Sequence, residues 1–172
     1  ICTLKTRILV SKKREAEVVE ALAEMVTSMP VGDPIDENTH IGPMVSEKQR
    51  DNVEHYIDTG MKEGSRLVVG GFGRPAGLNQ GWYVQPSLFS GVEPDSRLAQ
   101  EEVFGPVLAV LAYENEDEAI AIANNSAFGL SGTVFSTDIE RAVSVADRVK
   151  TGVLEINGAP FGFNAPFGGV KE

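Results

Sequence analysis

Apolar and polar positions recur along the chain with two periods, two and three-to-four, and these mark out the elements. Thr3 to Val10 mixes β-branched and apolar residues with Lys5 and Arg7, which predicts a strand. From Lys12 to Met29, Val18, Leu22, Val26 and Met29 recur at helical spacing, and Val19 and Ala23 widen the stripe. Ser11 is the expected cap of that helix and Pro30 its stop. The following PVGDPIDENTHIGPMV has no period, and loops this long in compact domains are usually functional or disordered. Ser46-Glu47-Lys48-Gln49 has the form of a capping box, so a second helix is expected from Glu47. Val53, Tyr56, Ile57 and Met61 give it an apolar face, and Gly64 is its expected stop.

RLVVGG and GWYVQPSLF predict two strands around the loop FGRPAGLNQ, an antiparallel ribbon, and Pro86 places the second strand at an edge or a bulge. PDSRLAQEEVFG is a polar connection with one helical turn. PVLAVLAY is nearly all apolar, as expected of a strand covered on both faces. Asn115 and Glu118 bracket the start of a helix running through Asn124, and GTVF is a short strand. Thr137 and Glu140 form a third capping pattern, opening a helix whose stripe is Ile139, Ala142, Val143, Ala146 and Val149. Gly152 is expected to close it in the left-handed conformation. VLEIN is a strand and GAPFGFNAPFGG an irregular tail. Strands alternating with helices predict an α/β fold, a mostly parallel sheet flanked by helices with an antiparallel ribbon, in one domain spanning 1–172.

Composition narrows the function classes. The chain has 172 residues, enough to bury a core, and its 42% apolar and 23% charged content is that of a soluble globular protein. A net charge of −10 weighs against nucleic-acid and anionic-membrane partners, which reward clustered Lys and Arg. There is no basic-then-apolar leader, and no apolar run approaches the ~20 residues that span a bilayer, so a cytoplasmic location is expected. A single cysteine excludes an internal disulfide and a cysteine-based zinc cluster. His40 and His55 are too few and too far apart to indicate a metal site. The chain lacks an initiator Met and stops just after a glycine-rich loop, which reads as a piece of something longer.

Four stretches carry candidate chemistry. Gly71-Phe72-Gly73-Arg74-Pro75-Ala76 matches a dinucleotide fingerprint after a strand, but that motif needs a helix to begin there. Pro75, Gly77 and Gly81 oppose a helix, so the match is a turn between strands. Cys2 is either buried filler or a nucleophile, and a nucleophile needs its thiolate stabilised by amide dipoles or a nearby base. In QEEVFGPVLAV two acids stand at the mouth of an apolar strand, where they could accept hydrogen bonds from a ligand's hydroxyls. Taken alone, that stretch reads as a solvated loop with Phe104 in the core. In APFGFNAPFGG the rings either line a pocket or pin a loop to the core.

Together these stretches resemble the aldehyde dehydrogenase superfamily, in particular the C-terminal catalytic domain of NAD(P)-dependent aldehyde dehydrogenases. The resemblance runs in order through ICTLKTRILV, VGDPIDENTHIGPMVSEKQ, GWYVQPSLF, EEVFGPVLAV, ANNSAFGLSGTVFS and APFGGVKE. It implies that Cys2 is the catalytic nucleophile. Glu102 would bind the ribose hydroxyls on the nicotinamide side of NAD or NADP, Phe104 would contact the nicotinamide end, and Gln49 would lie near the adenosine-side ribose. At Asn52, where relatives often carry lysine, no cofactor contact is expected. Phe167 and Phe161 would line the aldehyde tunnel.

The implied reaction is attack of the Cys2 thiolate on an aldehyde, hydride transfer to the oxidised cofactor, and hydrolysis of the resulting thioester. In the family, the Rossmann-type cofactor domain, a general-base glutamate and an oxyanion asparagine lie upstream of the cysteine, and the arm that joins subunits lies downstream. The resemblance therefore implies an incomplete catalytic domain, inactive alone, from a parent that assembles as a dimer or tetramer. The alternative is a non-catalytic binding or assembly module that keeps the fold.

Overall fold

The computed structural model of the chain describes residues 2–159 and 166–171. The chain divides into two compact units, one formed by Thr6–Ala112 and the other joining the N-terminal segment to the chain from Tyr113 onward.

In the first unit, strand β1 covers Arg7–Ser11 and helix α1 covers Glu15–Ser28. The strand starts later than the pattern predicts, because residues 3–6 lie outside it. Ser11 ends β1 and makes no side-chain cap; a single 3-10 turn over Lys12–Arg14 intervenes, and α1 begins only at Glu15. Pro30 does end α1, since it drives Met29 to extended backbone at φ −69° and ψ 118°. Helix α2 covers Glu47–Lys62 and starts at Ser46, whose Oγ accepts the Gln49 N–H at 3.2 Å. It stops at Gly64, whose φ of +92° suits glycine. Ser65 N–H closes back on Gly60 O at 3.0 Å and Gly64 N–H on Met61 O at 3.1 Å.

Strands β2 (Arg66–Gly71) and β3 (Gln85–Ser90) pair antiparallel as the expected ribbon. After the single turn α3 (Arg97–Gln100), strand β4 (Val107–Tyr113) runs parallel to β3. The sheet order β1-β4-β3-β2 makes β3 an interior strand, so Pro86 is not at an edge. It sits in a bulge instead. Val69 pairs with Leu88 and Gly71 with Gln85, so Pro86 and Ser87 together face Gly70. Gly70 has φ +83°, and a Cβ there would overlap the Pro86 carbonyl. The backbone group freed by the bulge is recovered, because Ser87 Oγ accepts the Gly71 N–H at 3.0 Å.

Alternation along the strands sends side chains to two faces. Leu88 and Val110 join Val10 and Val19 under α1. Phe89 faces α2, whose Gly60 is tight enough that a Cβ would press on Leu98 and Phe89. Phe89, Ile57, Leu88, Val53 and Val110 are all fully buried. Each such side chain contributes roughly 1.5–3 kcal/mol. An exposed ion pair contributes about 0.5 kcal/mol, so the two sheet faces hold this unit together.

The second unit contains α4 (Glu116–Asn124), β5 (Ser131–Val134), α5 (Ile139–Ala146) and β6 (Val153–Ile156), with β5 and β6 parallel. Asn115 caps α4 as expected, accepting the Glu118 N–H at 3.0 Å. The cap of α5 is Asp138 rather than Thr137; its carboxylate accepts the Arg141 N–H at 3.0 Å. The predicted stripe of α5 is not a buried face, since Ala142 is buried but Ile139 and Val143 are 55% and 44% exposed. Nor does Gly152 close this helix, which ends at Ala146. Gly152 is outside the left-handed region and is needed for close approach, because a Cβ would overlap the Gly168 carbonyl.

Candidate functional site

One face of α2 organises the loop between α3 and β4. Gln49, Val53 and Tyr56 are spaced i, i+4, i+7 and so lie on one side of the helix. Each grips a different point of the loop. Tyr56 OH donates to Glu101 Oε2 at 2.7 Å. Gln49 Nε2 donates to the carbonyls of both Val103 and Phe104, each at 3.0 Å. Val53 packs so closely on Gly105 that a Cβ there would overlap its side chain. The side-chain nitrogen of Gln49 is thus engaged by the loop, while its main-chain N–H is capped by Ser46.

The two acids of the QEEVFGP stretch are separated by the alternation of extended backbone. Glu101, at φ −112° and ψ 153°, turns toward Arg97, whose Nε and Nη2 donate to its two oxygens at 2.8 and 2.9 Å. Arg97, and after it the Tyr56 hydroxyl, hold the Glu101 carboxyl down at about 2 from the usual 4.5. Glu102 is exposed and has no hydrogen bond or ion pair with another described residue. Phe104 is presented in the left-handed region at φ 51° and is 56% exposed. It therefore does not sit in the core, as the isolated stretch suggested. A non-glycine residue held there costs on the order of 1–2 kcal/mol, which the Gln49 and Val53 contacts offset. The result is an exposed carboxylate, unpartnered among the described residues, and an aromatic ring displayed two residues apart on a fixed loop.

A pH effect follows from the Glu101 pair. A folded carboxyl that titrates near 2, against 4.5 when free, stabilises the fold above pH ~4.5 and loses that effect as pH falls toward 2. Because the pair is 42% exposed on each side, solvent screening holds its contribution under about 1 kcal/mol. Glu101→Gln is expected to lower the urea midpoint slightly at pH 7 and to match the unsubstituted chain at pH 2. A gap that persists at pH 2 would show that ion pairing is not its source.

In the second unit, Cys2 is a free, exposed thiol in a turn. Thr3 O accepts the Ser131 hydroxyl at 3.0 Å, and Lys5 Nζ meets Glu155 Oε2 at 2.9 Å. Phe167 is 58% exposed. Just beyond it, Lys171 Nζ donates to Asn124 O at 3.0 Å and Ser126 O at 2.9 Å, past the C-terminal end of α4. Phe161 lies outside the described residues. The tie by Gln49 was open to sequence reasoning, since its spacing from Val53 and Tyr56 is visible; the Lys5–Glu155 contact bridges 150 positions and leaves no local signal.

Gly71-Phe72-Gly73 ends β2 and opens a loop, not a helix. An open cleft of about 530 Å³ between the end of α1 and the ribbon, lined by Val26, Val31, Val69, Arg74 and Pro86, shares no residue with these groups. Among the described residues no cluster of His, Cys, Asp or Glu is placed to hold a metal ion, and no helix is long and apolar enough to cross a membrane.

The family model for the aldehyde dehydrogenase family matches residues 1–172. Geranial dehydrogenase of Castellaniella defragrans is 52% identical over 171 residues, covering 99% of this chain and 35% of that protein. The 3-succinoylsemialdehyde-pyridine dehydrogenase of a Pseudomonas species is 44% identical over 171 residues, covering 99% and 36%. Among solved structures, a Mycobacterium tuberculosis aldehyde dehydrogenase complexed with NAD+ superposes with a TM-score of 0.96 at 47% identity, covering 99% of this chain and 35% of that one. A Pseudomonas syringae aldehyde dehydrogenase mutant in complex with NAD+ and octanal gives 0.96 at 43%, with 99% and 35% covered. The chain spans about a third of the length of the relatives it matches.

Proposed function

The chain belongs to the aldehyde dehydrogenase family, and on that premise we propose that it is the cysteine-bearing catalytic portion of an enzyme that oxidises an aldehyde to a carboxylic acid with NAD+ or NADP+. The observation that carries the reading is the family match across residues 1–172, which includes the exposed free thiol of Cys2 and the displayed Glu102 and Phe104. An exposed carboxylate with no partner among the described residues suits the vicinal hydroxyls of a ribose, and an exposed ring two residues on suits a flat heteroaromatic group. When bound, the nicotinamide supplies the hydride acceptor.

In this reading the Cys2 thiolate attacks the aldehyde carbonyl, forming a C–S bond as the C=O π pair moves to oxygen, which gives a thiohemiacetal oxyanion on its sulfur. Loss of hydride from that carbon leaves a thioester on Cys2. Water then attacks the acyl carbon, the C–S bond breaks, and the acid departs with the thiolate restored. The base that activates this water would come from another part of the full-length enzyme. Glu102 would accept the ribose hydroxyls, Phe104 would flank the nicotinamide, Gln49 would hold Phe104 in place, and Phe167 would line the aldehyde tunnel. Assembly of the parent as a dimer or tetramer belongs to the same proposal and rests on family membership.

The test is turnover. A full-length parent is expected to reduce NAD+ or NADP+ with an aldehyde, and the isolated 172 residues are expected not to. A parent that binds cofactor but oxidises none of a broad aldehyde panel would overturn the reading. Within the parent, Glu102→Gln is expected to raise the cofactor KM about tenfold, since a charge-assisted hydrogen bond is worth roughly 1.5–3 kcal/mol. Gln49→Ala is expected to raise it by a smaller factor, because it acts through the loop. Steady-state kinetics with an unchanged KM for both variants would remove the loop from the cofactor site.

A further inference from the structure

We propose that the Lys5–Glu155 ion pair is a positioning device for the nucleophile, setting the orientation of the Cys2 turn through its contact with the polar face of the β5–β6 sheet. This rests on the reading of Cys2 as the attacking group.

The two strands pair in parallel register, with Ser131 opposite Val153 and Thr133 opposite Glu155. With the alternation of strands, Ser131, Thr133 and Glu155 share one face of the sheet. Residues 2–5 meet that face at two points. Ser131 Oγ donates to Thr3 O at 3.0 Å, and Lys5 Nζ donates to Glu155 Oε2 at 2.9 Å. Thr133 Oγ1 donates to the same Glu155 oxygen at 3.1 Å. The side chains of Lys5 and Glu155 are 31% and 20% exposed, so the pair is better shielded than a surface contact. The Lys5 ammonium, with the Thr133 hydroxyl second among the hydrogen bonds, holds the Glu155 carboxyl below the usual carboxylate range. Residues 2–5 belong to no strand or helix, so their conformation depends on side-chain contacts of this kind. A nucleophile tolerates little displacement, and misplacement by about 1 Å can cost ~100-fold in rate.

The experiment uses the full-length enzyme with four variants: Lys5→Met, which keeps the stem; Glu155→Gln, which keeps the shape; Thr133→Val; and the reversed pair Lys5→Glu with Glu155→Lys. The readouts are the single-turnover acylation rate, the alkylation rate of Cys2 by iodoacetamide, the cofactor Kd and the thermal midpoint. Each single charge variant is expected to lower both rates about tenfold or more with the cofactor Kd unchanged. The reversed pair is expected to recover most of that loss. Thr133→Val, which removes one contact and no charge, is expected to lower the rates about threefold and serves if a charge variant misfolds. A strut with no role at the thiol would lower the thermal midpoint and leave both rates per folded site unchanged; that result overturns the proposal, as does a reversed pair no faster than the singles. If Cys2→Ala keeps its activity, the nucleophile reading fails instead, and the two failures are told apart.

Discussion

Cys2→Ala in the full-length enzyme is expected to lower kcat for aldehyde oxidation at least about a thousandfold, roughly 4 kcal/mol of transition-state stabilisation. Without the sulfur there is no covalent acyl intermediate, and direct hydride loss from a hydrated aldehyde lacks the split into two easier steps. The substitution should not act through stability. Cys2 is exposed in a turn of this chain, so its removal opens no cavity among the described residues, and changes at such positions usually fall within about 0.5 kcal/mol. The thermal midpoint and the cofactor Kd should therefore match the parent. Cys2→Ser is expected to be nearly as slow, because the hydroxyl is a weak nucleophile near neutral pH. Stopped-flow and steady-state measurement of reduced cofactor decides the matter; a variant that keeps more than a tenth of the rate would count against the mechanism.

Gly152→Ala is expected to destabilise the second unit by about 3 kcal/mol, at the upper end for overpacking. A Cβ at this position would overlap the Gly168 carbonyl and stand 3.2 Å from Leu130 O, and both neighbours are backbone rather than yielding side-chain ends. The Gly152 N–H is also committed, to Gly129 O at 2.9 Å, so the residue cannot move away freely. Gly168 directly follows Phe167, and Val170 bonds to Gly129 at 3.2 Å. Relief of the clash thus displaces the segment that presents Phe167. The expected signature is a lower unfolding midpoint together with a raised aldehyde KM. Gly169→Ala is the control, because its nearest contact is an ordinary 3.5 Å and it should be close to neutral in both. Equal behaviour of the two variants would show that close approach at Gly152 is not what holds the tail.

The elements that were legible in advance are those set by local chemistry. Ser46 and Asn115 cap because each precedes a stripe and can reach a free N–H two or three residues on. Gly64 stops α2 because it alone tolerates φ +92° there at no steric cost. Two of the misreadings share one cause, a tertiary partner that no local pattern reveals. Ser11 looked like a cap, yet β1 extends through it in pairing with a distant strand. Gly152 looked like a helix stop, yet its glycine is required by Gly168, sixteen positions away. Ile139 and Val143 follow a helical stripe, but β5 and β6 offer only a small sheet for α5 to cover.

The candidate site divides in the same way. The acids and aromatic of QEEVFGP were visible as residue types, and the roles proposed for them come from the family resemblance alone. Which acid is free was not visible, because Arg97 and Tyr56 could have taken either one. Extended backbone at Glu101 makes the choice and turns Glu102 outward. Lys5 read as a polar residue within a strand. Its contact with Glu155 depends on how the chain folds back from the far end, and it became visible only in three dimensions.

If chemistry passes through the sulfur of Cys2, acid quench of the full-length enzyme traps the acyl group on that residue. The enzyme is mixed with NAD+ or NADP+ and a medium-chain aldehyde such as octanal, quenched across the first turnovers, digested and examined by mass spectrometry. The peptide containing Cys2 is expected to gain the mass of one acyl group, removed by hydroxylamine as a thioester is, at a rate matching the burst of reduced cofactor. Continued turnover with Cys2 unmodified at every quench time, or the acyl group on any other residue, would contradict it.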